Sequence, residues 1–411
     1  MVEARRAPDP GASEIGQRVR MIRKRRGLSL DAAAGLAGIS KPYLSHLETG
    51  KRNFERRSLL ENLAAALGCS VADLTGQPYL PPPDRATAAI MAELPAIRLA
   101  LYDTPLDDAP DVSARPVEQL VNVARQANEH CDETRYSLAF HELGALLAEL
   151  HVHVATGDTS TRRAALSGLV EACIVVYRAT RQHGNFDLSV QAAQRAYDAA
   201  TTLGDPTLSG FAGLCRASVF SQLGARRRAD SVLSNAMVDT EPFADPTGAN
   251  VGAAESFGVM HLLTAQLASR DGRGAEAQAH LGEARDIATA TGERNTMHWR
   301  FGPANVTVWA LGVSVELGNG PSAAERFEAD PPRAMSTSRL ARLHFDLARA
   351  YAQADGDRDT EALRHLDRAD RVSPQRMRLD PMARDLVVAL SRRARRRVWE
   401  LDSLRNRFGV R

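Results

Sequence analysis

In Glu14–Arg26, Ile15, Val19 and Ile22 recur at i, i+4 and i+7, the spacing of one helical face. Gly27 is a fitting stop, and Ser29 is placed to cap a second helix over Leu30–Leu36. Gly38 closes that helix in a short turn. Ser40 then caps a third helix, with Leu44 and Leu47 pointing inward. Pro42 sits in its first turn, where no intrahelical N–H is lost. Gly50 ends it. Ser58-Leu59-Leu60-Glu61 has the form of a capping box opening a fourth helix through Leu67, and Val71–Thr75 adds a final turn. Two short helices joined by a glycine-containing turn have helix-turn-helix geometry.

From Val117 onward the pattern changes to longer helices and turns, with almost no strand alternation. Ala217, Phe220, Ala229, Leu233 and Ala236 have the spacing of a tetratricopeptide repeat. Leu347, Ala348, Tyr351, Ala362, Leu366, Ala369 and Pro374 match it again, with two extra residues in the turn at Asp355–Asp359. Weaker copies centre on Ala193, Tyr197 and Ala200, and on Ala277, Leu281 and Ala284. Small residues let paired helices approach, and large ones fill the gaps between hairpins. The expected fold is all-α: a five-helix N-terminal domain followed by a tetratricopeptide-like α-solenoid of about five to seven irregular hairpins.

Composition places the boundary. Eight of the 20 prolines fall between Gly76 and Pro116, including Pro81-Pro82-Pro83, a composition that favours an extended connector. Residues 1–80 carry 13 basic and 8 acidic side chains, whereas the remainder carries 39 and 42. The arrangement read from this is a small basic helical module at 12–76, a proline-rich linker at 77–116 and a repeat domain at 117–400. Within the linker, Arg85–Leu101 reads as a helix interrupted at Pro95. The apolar run Val306–Leu317 falls short of the roughly 20 residues that span a bilayer, and the basic N-terminus lacks the apolar core of a secretory signal. Cys69, Cys131, Cys173 and Cys215 have no metal-ligand or paired spacing, so reduced thiols in a cytoplasmic protein are expected.

The run Arg25-Arg26-Gly27-Leu28-Ser29-Leu30, then Ala33 to Gly38-Ile39-Ser40, then Tyr43-Leu44-Ser45-His46-Leu47-Glu48-Thr49-Gly50-Lys51-Arg52, resembles the XRE (phage Cro/C1 repressor) family. Leu63 to Leu67-Gly68-Cys69-Ser70-Val71 and Asp73-Leu74 extend the resemblance. It implies a third helix whose N-terminus enters the major groove. Lys41, Pro42, Ser45 and His46 are then the base-contact candidates. Ser40, Tyr43, Lys51, Arg52 and Asn53 are the phosphate-contact candidates. Tyr43 has partial burial against the first helix as its alternative. The cluster Arg23-Lys24-Arg25-Arg26 either tracks phosphates or forms a solvated helix end. Leu30 stands where the family usually has Gln, so a polar DNA contact from that position is not expected. Related repressors dimerise to place two recognition helices one turn of DNA apart.

An XRE module joined to degenerate repeats is similar to the cytoplasmic peptide-pheromone receptors of Gram-positive bacteria, and more so to actinobacterial XRE–TPR regulators. The Arg-rich, Lys-poor composition agrees with a GC-rich genome. In the peptide receptors, Asn side chains clamp the ligand backbone, and Asn305 with Trp309 one turn on is the candidate counterpart. The alternative is a solvated Asn305 and core packing at Trp309. Trp299, Arg300 and Phe301 either line a groove mouth or pack. Arg392-Arg393-Ala394-Arg395-Arg396-Arg397 either meets DNA or an acidic partner or is a solvated face. No phosphate-binding loop, nucleophile elbow or metal-ligand pattern was found. The expectation is therefore a cytoplasmic, nucleoid-associated regulator without catalytic residues, metal or cofactor. It would bind operator DNA as a homodimer and respond to a peptide or small-molecule effector. The alternative is an interaction scaffold whose helix-turn-helix module serves protein binding or tethering.

Overall fold

The computed structural model describes residues 14–77, 85–248, 250–331, 335–394, 396 and 398–410, and among these every regular element is helical. The run Pro81–Pro83 lies outside the described residues. In chain order the helices are α1 (Glu14–Arg25), α2 (Leu30–Leu36), α3 (Lys41–Glu48), α4 (Arg57–Leu67), α5 (Val71–Thr75), α6 (Arg85–Tyr102), α7 (Val117–Asp132), α8 (Tyr136–Ala139), α9 (Leu143–Thr156), α10 (Thr159–Gln182) and α11 (Phe186–Leu203). They continue as α12 (Pro206–Leu223), α13 (Arg226–Thr240), α14 (Val251–Arg270), α15 (Gly274–Thr291), α16 (Pro303–Glu316), α17 (Gly320–Ala329), α18 (Thr337–Ala352), α19 (Asp359–Val372), α20 (Pro374–Leu379), α21 (Pro381–Arg393) and α22 (Trp399–Phe408).

Two compact units result, and they do not coincide with the boundaries drawn from the sequence. The first comprises Met1–Tyr79, Leu311–Pro331 and Ala341–Arg411. The second comprises Leu80–Ala310 and Pro332–Leu340. The N-terminal helices thus share a unit with the C-terminal ones, because buried charges far apart in sequence pair there.

In the second unit, consecutive helices from α9 to α13 pack on one another, as do α14 and α15. Small residues set the spacing. A Cβ on Gly210 would lie 2.0 Å from Thr240 Oγ1, and one on Gly213 would lie 2.9 Å from Ala236 Cβ. Of the repeat-spaced residues on α12 and α13, Ala217, Ala229, Leu233 and Ala236 are buried, and Phe220 is half-buried.

The expected break at Pro95 is absent: α6 runs through it. Losing one intrahelical bond costs on the order of 3 kcal/mol. Burial of Ile90, Leu94, Ile97 and Leu101 offsets this, since each such side chain contributes about 1.5–3 kcal/mol. This helix packs on α9 within the second unit, so it belongs to a folded core. Gly144 allows the approach, because a Cβ there would meet Ala96 Cβ at 2.6 Å.

Candidate nucleic-acid interface

Helix α3 is positioned from within by apolar packing and one buried ion pair. Ile15 and Val19 of α1 and Leu44 and Leu47 of α3 are buried, and α1 comes close enough that a Cβ on Gly16 would sit 2.2 Å from the Leu47 carbonyl oxygen. Arg23 donates to Glu48 through two nitrogens, at 2.6 and 2.8 Å, and through a third to the Leu28 carbonyl at 2.9 Å. The guanidinium therefore joins α1, the turn before α2 and the end of α3. Its hydrogen bond to Glu48 raises the Arg23 pKa. Arg26 donates to the Gly68 carbonyl at 2.8 Å. Two of the four cations in the Arg23–Arg26 cluster are thus structural, while Lys24 and Arg25 are exposed.

At the N-terminus of α3, Ser40 Oγ accepts from the Tyr43 amide at 3.3 Å, the cap expected from sequence. Lys41, Pro42 and His46 are exposed, and Ser45 is half-buried. Tyr43 donates its hydroxyl to Glu55 at 3.2 Å and lies beneath Arg52, whose guanidinium carbon is 5.3 Å from the ring centroid. Burial first, and the Glu55 charge second, push the Tyr43 phenol up to about 12, so it stays a donor at neutral pH. Lys51 is exposed, whereas Asn53 is buried, with 5% of its surface accessible.

The loop after α3 is held by residues no local pattern announced. Phe54 donates its amide to Asp385 at 2.7 Å. The amides of Arg57 and Ser58 both donate to the Glu316 carboxylate at 3.2 Å. Arg349 donates to Glu316 at 2.7 Å, to Asp346 at 2.8 Å and to the Glu55 carbonyl at 2.8 Å. Arg392 donates to the Thr49 carbonyl at 2.9 Å, and Arg384 to Glu14 at 2.9 Å. Arg52 pairs with Asp355 at 2.5 Å.

This corrects the reading of Ser58–Glu61 as a capping box. Arg56 is the N-cap of α4 and its side chain makes no capping bond. The free N–H groups at that helix start are instead satisfied by Glu316, which also suits the positive end of the helix dipole. A capping box does form one helix later, where Ser70 and Asp73 exchange bonds. In the C-terminal arginine run, Arg392 and Arg393 are spent internally, the latter on Asp359 at 2.7 Å; Arg395 and Arg397 lie outside the described residues.

The effector candidates separate. Asn305 is buried with 3% accessible and lines a cavity of about 450 Å³ in the second unit, together with Arg294, Asn295, Arg300 and Glu133. Its Nδ2 donates to the Trp299 carbonyl at 2.9 Å, which fixes the amide; its Oδ1 is buried with no hydrogen-bond partner. Trp309 is half-buried and does not line that cavity. Phe301 is core, its ring seated where a Cβ on Gly258 would lie 2.1 Å away. Among the described residues, no cluster of His, Cys, Asp and Glu is arranged to hold a metal ion, and no helix is long and apolar enough to cross a membrane.

Residues 14–75 match the helix-turn-helix domain family. The HTH-type transcriptional regulator DdrOP3 of Deinococcus deserti is 47% identical over 61 residues, 15% of this chain and 46% of that protein. The HTH-type transcriptional regulator SinR of Bacillus subtilis is 37% identical over 65 residues, 16% of this chain and 59% of that protein. A competence pilus inhibition repressor of Acinetobacter baylyi is 38% identical over 61 residues, 15% of this chain and 54% of its own. The chain spans about half the length of the curated relatives it matches. No solved structure matches it.

Proposed function

We infer that this chain is a sequence-specific DNA-binding transcriptional regulator. The observation that carries the reading is the disposition of α3. Its inner face is locked by Leu44, Leu47 and Glu48, while Lys41, Pro42 and His46 stand exposed at its N-terminal half. Lys41 would donate to guanine O6 or N7, His46 would offer one donor or acceptor, and Ser45 would serve either role. Tyr43, Lys51 and Arg52 would fix register on phosphates. Ser40 would add a phosphate contact from its cap position, and Asn53 would act mainly through its place in the buried loop. The regulator names of the relatives support the same reading, and no catalytic role is proposed.

The chain would bind a two-fold operator as a homodimer, with half-sites about 34 Å apart. The cavity at Asn305 would take the effector. Its orphaned Oδ1 calls for an N–H or O–H donor, which a peptide backbone or a small-molecule hydroxyl or amine supplies. Such a protein would work in the cytoplasm, at the nucleoid.

Fluorescence anisotropy on fragments from upstream of its own gene tests the central claim. Tight, salt-sensitive binding to one fragment is expected, with preference lost by about 1–3 kcal/mol in K41A/H46A. Equal, weak binding to all fragments, unchanged in that variant, would favour a scaffold in which the module only tethers.

A further inference from the structure

The turn between α18 and α19 is longer than the repeat spacing requires, and its first extra residues have a use. Asp355 takes a left-handed backbone conformation, φ +52°, which Asp and Asn tolerate better than other side chains. From there its carboxylate reaches Arg52 at 2.5 Å. Arg52 is one of the cations assigned to phosphate, and it lies over Tyr43, assigned to the same task.

The acidic groups around this loop differ in burial. The side chains of Glu316 and Asp346 are 2% and 1% exposed, and Asp385 is buried with 4% of its surface accessible. These are held in place by Arg349 and by backbone amides. The Asp355 side chain is 55% exposed and that of Arg52 is 40% exposed. Only the outer pair can exchange partners with solvent or with a second anion without opening the fold. The loop carrying Arg52 has little freedom to move away, because Asp385 holds the Phe54 amide and Arg349 holds the Glu55 carbonyl.

We propose that Asp355 is an intramolecular substitute for a DNA phosphate: it occupies Arg52 in the free protein and must be displaced when DNA binds. The inference rests on the DNA-binding reading above. The turn then acts as a brake on affinity. Any change that withdraws it from Arg52 strengthens DNA binding without touching the recognition helix. An exposed ion pair is a weak brake, which suits modulation and not an all-or-none switch.

The test needs no knowledge of the operator, because phosphate contacts are made on any sequence. The full chain is titrated onto a fluorescein-labelled duplex of mixed sequence, two helical turns long, at several salt concentrations. D355N keeps the backbone conformation and removes the charge. D357N removes an equal charge from the same exposed turn at a residue not paired with Arg52. D355N is expected to bind about two- to fivefold tighter than wild type. Its salt dependence should be steeper by up to about one unit of log–log slope, since Arg52 then neutralises a phosphate without first losing a partner. D357N should gain clearly less. In an R52A background, D355N should bring no further gain. Equal gains in D355N and D357N, a gain that survives in R52A, or no gain at all would overturn the brake while leaving DNA binding intact. Absence of duplex binding by wild type, or binding indifferent to both K41A and R52A, would overturn the DNA-binding reading and the brake with it.

Discussion

The two compact units are built from the chain in different ways. The second is built from neighbours in sequence whose helices close on small residues: Gly210 against Thr240, Gly213 against Ala236, Gly258 against Phe301. The first is assembled from three stretches of chain, and buried charges join them, whereas the buried pair Arg178–Asp132 of the second unit lies within one continuous stretch. Arg349 sits between Glu316 and Asp346, and Arg23 grips Glu48. Close packing tolerates sequence variation, because any small residue at the crossing will serve. Buried ion pairs do not, because each group needs its own partner. Burial of charge costs several kcal/mol per ion unless it is answered with good geometry. Arg349 is so answered: its carboxylate partners outweigh desolvation and raise its pKa.

The comparison breaks most decisively at Glu316. E316A leaves Arg349 buried with one partner fewer and exposes two orphan amides at the start of α4, so the first unit should lose about 3–5 kcal/mol. Hydrogen exchange would read this as deprotection of Arg57 and Ser58, with α10–α12 unaffected. A double change of Glu316 and Arg349 to leucine should recover only the part due to the unpaired Arg349 charge, because the Arg57 and Ser58 amides still lack their acceptor and Asp346 keeps only Arg342. Protection that falls equally in both units would contradict the distinction.

A smaller effect is expected from acid, and it acts on the second unit. His151 is fully buried, donates Nδ1–H to the Leu147 carbonyl at 2.7 Å and is approached at Nε2 by Arg195. Burial, with Arg195 adding to it, lowers its pKa to about 4 from an ordinary value of 6.5. The unfolded chain therefore binds the proton more readily. The resulting stability is complete above pH 6.5 and is lost as pH falls toward 4, on the order of 3 kcal/mol. Thermal melts of wild type and H151Q between pH 7 and pH 5 would check it; the variant should have the flatter profile.

Smaller again is G258A. Its Cβ would overlap the Phe301 ring, and relief requires that ring to move, at roughly 1–3 kcal/mol. The loss should appear in α14 and its neighbours. An unchanged melting temperature would mean that the ring has room, and that close packing matters less in this unit than the spacing suggests.

Much of the first five helices was legible, because their caps and inward leucines lie within a few residues of one another. Ser29 and Ser40 cap as the pattern indicates. The repeat spacing over α12 and α13 likewise located buried residues. What was not legible depends on partners hundreds of residues away. Ser58 and Glu61 have the letters of a capping box, yet Glu316 takes the role. Asn53 reads as a loop residue beside two cations, yet it is buried, next to a Phe54 amide that donates to Asp385. Pro95 reads as a breaker, since the local rule does not count the core that α6 joins. The same limit applies to Asn305: spacing set it beside Trp309, whereas the cavity takes Asn305 and leaves Trp309 out.

The carboxylates supplied by Glu316 and Asp385 have a consequence for engineering. The stretch that relatives share ends at about residue 75, but two of the anchors of its loop reside beyond residue 310. Residues 14–77 transplanted onto another protein would carry a helix start without its acceptor and a Phe54 amide with no carboxylate to meet it. A chimera would inherit α3 without the groups that hold the loop after it. The portable unit is therefore the helix-turn-helix together with α17 to α22, the C-terminal ends of α16 and α18 included, and a designer who cuts at the family boundary would cut through a single folded body.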